Sequence, residues 1–242
     1  MKKYVVLLFL IFWVGNLLVA QETQTRRFVN SLYQLDEFIK RQDKFVDYTN
    51  TDSYKGTPYN NPSFLSGNVY DKNKLLASNV ALRYNAMADE IEIKESLETP
   101  ISKARPLPKS PDIYVKIMQA IFVFVPYQGG IEGGGYFQVL YEGTKVDVFK
   151  KLNKKFYPAK PAKTSITRDV LAKFIDNPVY YLVSENGKFY ELPSSRSKKL
   201  KVFGKNEALI KKYVAENNLN LNEEEDLITA VKYFNSLKNI EL

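Results

Sequence analysis

The sequence predicts an α+β protein: an antiparallel β-sheet, curled or barrel-like, with helices gathered at its C-terminal end. Two observations carry this. Between residues 64 and 193, apolar residues recur with period two in short runs bounded by turn residues; after Pro193 the period becomes helical. Strands first and helices last is also the order of an antiparallel fold, not of alternating βαβ units.

Residues 1–20 stand apart from this domain. Lys2 and Lys3 precede an apolar stretch from Tyr4 to Val14, and Leu17-Leu18-Val19-Ala20 is followed by the polar run Gln21–Arg27. That is the pattern of a secretory signal peptide, with Ala20 before the cut. Gly15-Asn16 interrupts the run, which argues against a membrane anchor, and a lipoprotein would need a Cys that the chain lacks. The expected product is exported, periplasmic or extracellular, soluble and without an integral membrane segment. Cleavage removes two lysines from a formal charge of +8, leaving +6, and takes away Trp13, the only tryptophan.

Residues 21–63 read as a helix and a loop. Phe28, Leu32, Leu35, Phe38 and Ile39 recur at three- and four-residue spacings, which predicts an amphipathic helix over 26–45. Residues 47–63 are dense in Asn, Thr, Ser, Pro and Gly and read as a loop.

The β-rich domain spans 64–193. Val69-Tyr70, Asn79–Tyr84 and Asp89–Lys94 read as strands, with Asn85–Ala88 as a turn. Glu90 and Glu92 alternate with Ile91 and Ile93, the pattern of a solvated strand face. Residues 97–111 carry four prolines and read as an extended connection between subdomains. Residues 112–127 contain at least one buried strand. Residues 136–141 and 145–149 flank a hairpin turn at Glu142-Gly143-Thr144, and Asn186-Gly187 supplies the positive φ angles for a second hairpin over 179–192. Residues 166–176 read as a short helix.

The C-terminal part, 194–242, packs on the sheet. Ser194 or Ser195 caps a helix through Phe203, stopped by Gly204. Leu209, Ile210, Tyr213 and Val214 line one face of a second helix over 205–216. Asn222 caps a third, over 223–238, whose acidic first turn suits the helix dipole.

Composition removes whole classes of chemistry. Without Cys there are no disulfides, thiolate nucleophiles, zinc ribbons or iron–sulfur clusters. Without His there is no Ser-His-Asp triad and no imidazole ligand. Residues 129–135 hold five of the eleven glycines, but a strand follows them, so a flexible loop is expected and no phosphate site. Ser195-Arg196-Ser197-Lys198 matches Ser-x-x-Lys without the companion motifs of the serine acyl enzymes, and reads as a basic helix start. No catalytic residue, metal ligand or cofactor is assigned. The weight of these absences falls on a non-enzymatic protein that binds a protein or surface-polymer partner. The alternative is a carboxylate-dependent hydrolase of envelope glycan or peptide, which would need two carboxyl groups at a defined separation.

Charge points to the candidate binding surface. Residues 145–212 hold 17 Lys+Arg and 6 Asp+Glu. Lys150, Lys151, Lys154 and Lys155 cluster among aromatics and, with Gly133, Gly134 and Gly135, form the candidate partner-binding set. Export argues against nucleic acid, so the expected partner is an envelope protein or an anionic surface polymer.

The segments Tyr54-Lys55-Gly56-Thr57-Pro58-Tyr59-Asn60-Asn61, Leu82-Arg83-Tyr84-Asn85 and Asp89-Glu90-Ile91-Glu92 resemble those of a family of exported proteins of Gram-negative bacteria. The likeness covers about forty residues strongly. It implies an envelope location and a β-rich body, and no reaction. Read physically, Gly56, Pro58 and Tyr59 make a tight turn before the first long strand. Arg83 and Asn85, which flank Tyr84, anchor that loop by hydrogen bonds.

Overall fold

The protein was analysed as a computed structural model, which describes residues 54–126, 134–162, 166, 168–238 and 242. The signal segment, the 26–45 helix and Gly133 lie outside the described residues. The described chain belongs to one compact unit, from Ser53 to Leu242.

Among the described residues thirteen strands form two sheets. The larger has ten, all antiparallel. Three of its strands, β2 (Leu65–Asp71), β3 (Lys74–Asn85) and β4 (Glu90–Lys94), run outward to the short edge strand β5 (Arg105–Pro106). The chain then returns to the other side of β2 and continues through β6 (Ile113–Ile117), β7 (Ala120–Val125), β8 (Gly135–Tyr141) and β9 (Val146–Lys151). The hairpin β12 (Val179–Ser184) and β13 (Phe189–Leu192) completes it. β5 and β13 do not pair with each other, so the sheet curls without closing. The smaller sheet places β1 (Tyr54–Lys55) parallel to β11 (Ala172–Asp176), with β10 (Lys154–Tyr157) antiparallel on its other side.

Helices α1 (Arg196–Lys201), α2 (Glu207–Glu216) and α3 (Glu224–Ser236) follow the last strand. They share a core with the sheet: Val146, Val148, Leu182 and Leu192 meet Phe203, Ile210, Val214 and Phe234. Phe203 and Phe234 meet edge to face, 5.1 Å between centroids, a geometry that adds to their area burial. A second core fills the curl of β2, β3, β4, β6, β7 and β8 around Leu82, Ile91, Val115 and Phe122. This is the α+β architecture that the change of period predicts.

Several local expectations are corrected. Residues 172–176 form strand β11, not the end of a helix. Leu171, Phe174 and Ile175 fit a helical spacing, but Ala172 and Phe174 also alternate with Lys173 and Ile175. Rings at Tyr54 and Phe156, 5.3 and 4.9 Å from Phe174, reward the second pattern. The described part of 112–127 holds two strands joined at Met118-Gln119, a turn without glycine in which Met118 takes φ 52°. The proline-rich 97–111 segment joins strands of one sheet, not two subdomains, and Pro106 sits on the edge strand, where a missing N–H is tolerated. Part of the 47–63 loop is strand β1. Leu209 is exposed, so the buried stripe of α2 is carried by Ile210 and Val214. The N-cap of α3 is Glu223, not Asn222, whose side chain accepts a hydrogen bond from Lys199. Gly204, with φ 55°, begins a 3-10 turn that leads into α2.

One buried amide fixes the helices on the sheet. Asn235 of α3 accepts from the backbone N–H of Lys145 and Val146, both at 3.0 Å, and donates to Val146 O and Val231 O. It supplies partners to backbone groups where β9 begins. Replacing Asn235 with Leu strands these buried groups, so stability is expected to fall by about 3 kcal/mol. Urea unfolding of the variant will show a lower midpoint with an unchanged m-value.

Candidate functional site

The sequence motifs converge on the β3–β4 hairpin. Gly56 has φ 82°, and a Cβ there would collide with the carbonyl oxygen of Phe174 on β11. Beyond it, Ala86 and Met87 donate to Pro58 O, Asn60 donates to Tyr84 O, and Tyr59 bridges to Asn85. Arg83 is only 8% exposed. Its guanidinium lies between the rings of Tyr59 and Phe64, 3.6 and 4.3 Å from their centroids, a cation–π sandwich. It also donates to Pro62 O at 2.9 Å and twice to Glu92 Oε2, at 3.0 and 2.6 Å. Glu92 is therefore a buried cation's counter-ion, and the reading of Glu90 and Glu92 as a solvated face does not hold for it. Asn85 caps its own turn: its Oδ1 accepts from Met87 and Ala88.

The same turn presents Asp89, with φ 54°, to the far part of the sheet. Asp89 Oδ1 accepts from Tyr84 Oη at 2.8 Å and from the backbone N–H of Tyr136 at 3.0 Å. Its Oδ2 pairs with Lys151 Nζ at 3.2 Å, and Lys151 also donates to Gly134 O and lies over the Phe137 ring. Gly135 has φ 108°, and a Cβ there would fall on Asp89 Oδ2 and Lys151 Nζ. Burial, then the Asp89 charge, pushes the Tyr84 hydroxyl well above its ordinary value, so it stays a proton donor to the carboxylate. Burial, then the Asp89 and Glu90 charges, pushes Tyr136 up as well. The Tyr136 hydroxyl is buried with no hydrogen-bond partner among the described residues.

The candidate basic set does not form one patch. Lys150 pairs with Glu224, which also accepts from Tyr180 Oη at 2.8 Å. Burial pushes the Glu224 carboxyl up, but hydrogen bonds from Lys150 and Tyr180 outweigh it and hold the group below the ordinary carboxylate value. Lys151 is spent on Asp89, and Lys154 on Asp176. Gly134 and Gly135 serve the Asp89 contact, while Gly133 lies outside the described residues. Of the four lysines, Lys155 alone is exposed.

Lys155 belongs instead to a face that the sequence did not reveal. In the three-stranded sheet, Tyr54, Phe156, Ala172 and Phe174 point inward, and Lys55, Lys155, Tyr157, Lys173 and Ile175 point out. Register places Lys55 and Tyr157 on either side of Lys173, and Lys155 opposite Ile175. Lys173 Nζ sits 5.3 Å from the Tyr157 ring centroid. Among the described residues no carboxylate pairs with Lys55, Lys155 or Lys173. Asp176 is turned to Lys154, and Asp169 accepts from Ala162 N–H at 2.7 Å. The signal is hidden because Lys55 lies over a hundred residues from Lys173, and because 166–176 fits a helical period as well as a strand's.

A cleft of about 290 Å³ opens beside the β6–β7 turn. Leu82, Tyr84 and Phe122 form its floor, and Asn60, Ser63 and Gln119 lie at its rim. No carboxylate lines it, so the paired acids of a glycosidase are not found in it. Among the described residues no cluster of three or more Asp or Glu side chains is arranged to hold a metal ion. No helix among them is long and apolar enough to cross a membrane. No protein-family model, curated protein or solved structure matches the chain.

Gly135→Ala tests the Asp89 contact, with Gly187→Ala as its comparison, and Tyr136→Phe tests the stranded hydroxyl. Gly135→Ala adds a clash to a left-handed backbone and is expected to cost about 2–3 kcal/mol; Gly187→Ala, with open space around it, will cost about 1 kcal/mol. Tyr136→Phe removes a stranded hydroxyl and is expected to raise stability by about 1 kcal/mol. Thermal unfolding of each variant checks both.

Proposed function

We propose that this chain is an exported, non-enzymatic envelope protein that binds an anionic envelope component through the outer face of its three-stranded sheet. The observation that carries the reading is the placement of Lys55, Lys155 and Lys173 on one exposed face with no acid opposing them among the described residues. Four other cations of the strands are consumed internally: Arg83, Lys150, Lys151 and Lys154 all have carboxylate partners. A lysine face without counter-ions attracts polyanions and gathers them from solution. The export expected from residues 1–20 places the phosphates and acidic glycans of the envelope within its reach. Missing Cys and His residues agree with a binding role.

The test is a titration with fluorescein-labelled dextran sulfate at several salt concentrations. The wild-type chain is expected to bind, more weakly as salt rises. The triple variant Lys55→Glu, Lys155→Glu, Lys173→Glu should lose roughly a hundredfold in affinity if each lysine contributes on the order of 1 kcal/mol. Reversing three exposed lysines on the helices, Lys198, Lys201 and Lys211, should change it little. Equal losses from the two triple variants would mean that net charge alone is being read, and the face would not be a site.

A further inference from the structure

We infer that the anionic component is the surface of a lipid bilayer, on whose headgroups this same face lies flat. The inference rests on the polyanion-binding reading and goes further by naming the partner. Its ground is what lies between the lysines. Tyr157 and Ile175, 45% and 41% exposed, alternate with Lys155 and Lys173 on the two paired strands. The register of β10 and β11 is carried on by the Lys160–Val170 bridge, which puts Leu171, 44% exposed, on the same face.

The face thus interleaves three cations with three large apolar side chains. A soluble polyanion engages the lysines and gains nothing from Leu171 and Ile175, which it would leave in water. A bilayer surface uses both kinds of residue. Apolar groups sink to the boundary between headgroups and acyl chains, and lysine stems lie alongside them while each ammonium rises to a phosphate. Tyrosine suits that depth, with a ring on the apolar side and a hydroxyl on the wet side. Lys173 over the Tyr157 ring is arranged this way already. On the inward side, Phe156 and Phe174 pack on each other and Tyr54 packs on Phe174, so the two outward rows are backed by an aromatic layer. Over the paired residues 155–157 and 172–175, one side of the small sheet is aromatic and buried or half-buried and the other mixes cations with exposed apolar groups.

The experiment separates the two claims. Partitioning is measured onto vesicles of phosphatidylcholine alone and of phosphatidylcholine mixed equally with phosphatidylglycerol, alongside the dextran sulfate titration. The wild-type chain is expected on the mixed vesicles and not on the neutral ones. A polar variant, Tyr157→Ser, Leu171→Asn, Ile175→Thr, should lose roughly tenfold or more in vesicle partitioning while dextran sulfate binding stays within about twofold. The lysine-reversal triple should lose both. In the Tyr157→Trp variant of the chain from Gln21, used for all these titrations, the sole tryptophan reports on the face. Its emission should shift to shorter wavelength on mixed vesicles. Wild-type binding to dextran sulfate without binding to mixed vesicles would overturn the membrane inference and leave the polyanion reading standing. Vesicle partitioning untouched by the polar variant, or an unshifted tryptophan, would overturn it too. Binding to neither probe would overturn both.

Discussion

One carboxylate ties together the two parts of the large sheet that its curl brings near each other. Asp89 sits at the turn between β3 and β4, and β8 and β9 lie several strands away in the sheet order. Its two oxygens nevertheless reach Tyr136 N–H and Lys151 Nζ, at the start of β8 and the end of β9. Contacts so far apart in the ladder are made only if the sheet bends back on itself. Tyr84 and Lys151 supply the donors that a partly buried carboxylate needs, and Gly135 keeps the space clear. What surrounds the second core follows from this bend, because Leu82, Ile91, Val115 and Phe122 face a common interior only when the strands wrap around them.

The cations of the protein divide by use. Arg83 is sealed between two aromatic rings and a carboxylate, and Lys199 is held by Leu221 O and Asn222 Oδ1, at 2.8 Å each. Lys94 donates to Leu97 O and Thr99 O and closes the loop after β4. Removing one partner from such a buried cation is costly, which makes these residues fasteners rather than contact points. Burial lowers Lys199 from its ordinary value, the reverse of what a carboxylate neighbour would do. Arg83, Lys94 and Lys199 are thus withheld from a partner by burial, whereas Lys55, Lys155 and Lys173 are exposed on the outer face of the small sheet.

How much of this was legible in the sequence can be argued from particular residues. Period two and period 3.6 are local signals, and they gave the order of strands and helices together with the Asn186-Gly187 hairpin. The turn at Met118-Gln119 carried no such mark, because a methionine there adopts a backbone angle that glycine or asparagine usually signals. Residues 172–176 fit two periods, and only Tyr54 and Phe156, distant in the chain, decide between them. The lysine cluster at 150–155 was visible as charge. That Glu224, Asp89 and Asp176 neutralise three of its members was not, since each partner comes from another part of the chain. The acidic first turn of α3 read correctly as a dipole complement, yet Glu224 also reaches Lys150 and Tyr180.

Strand β1 is two residues long and holds the edge of the small sheet through a parallel pairing to β11. Opening so short an element costs far less than opening the ten-stranded body. Lys55 leaves the outer face whenever β1 detaches, while the helices and the curled core remain intact. The integrity of the face and the integrity of the domain are thus two separate equilibria. A melting curve follows the second and is blind to the first, whereas amide exchange at Lys55 and Lys173 follows the first.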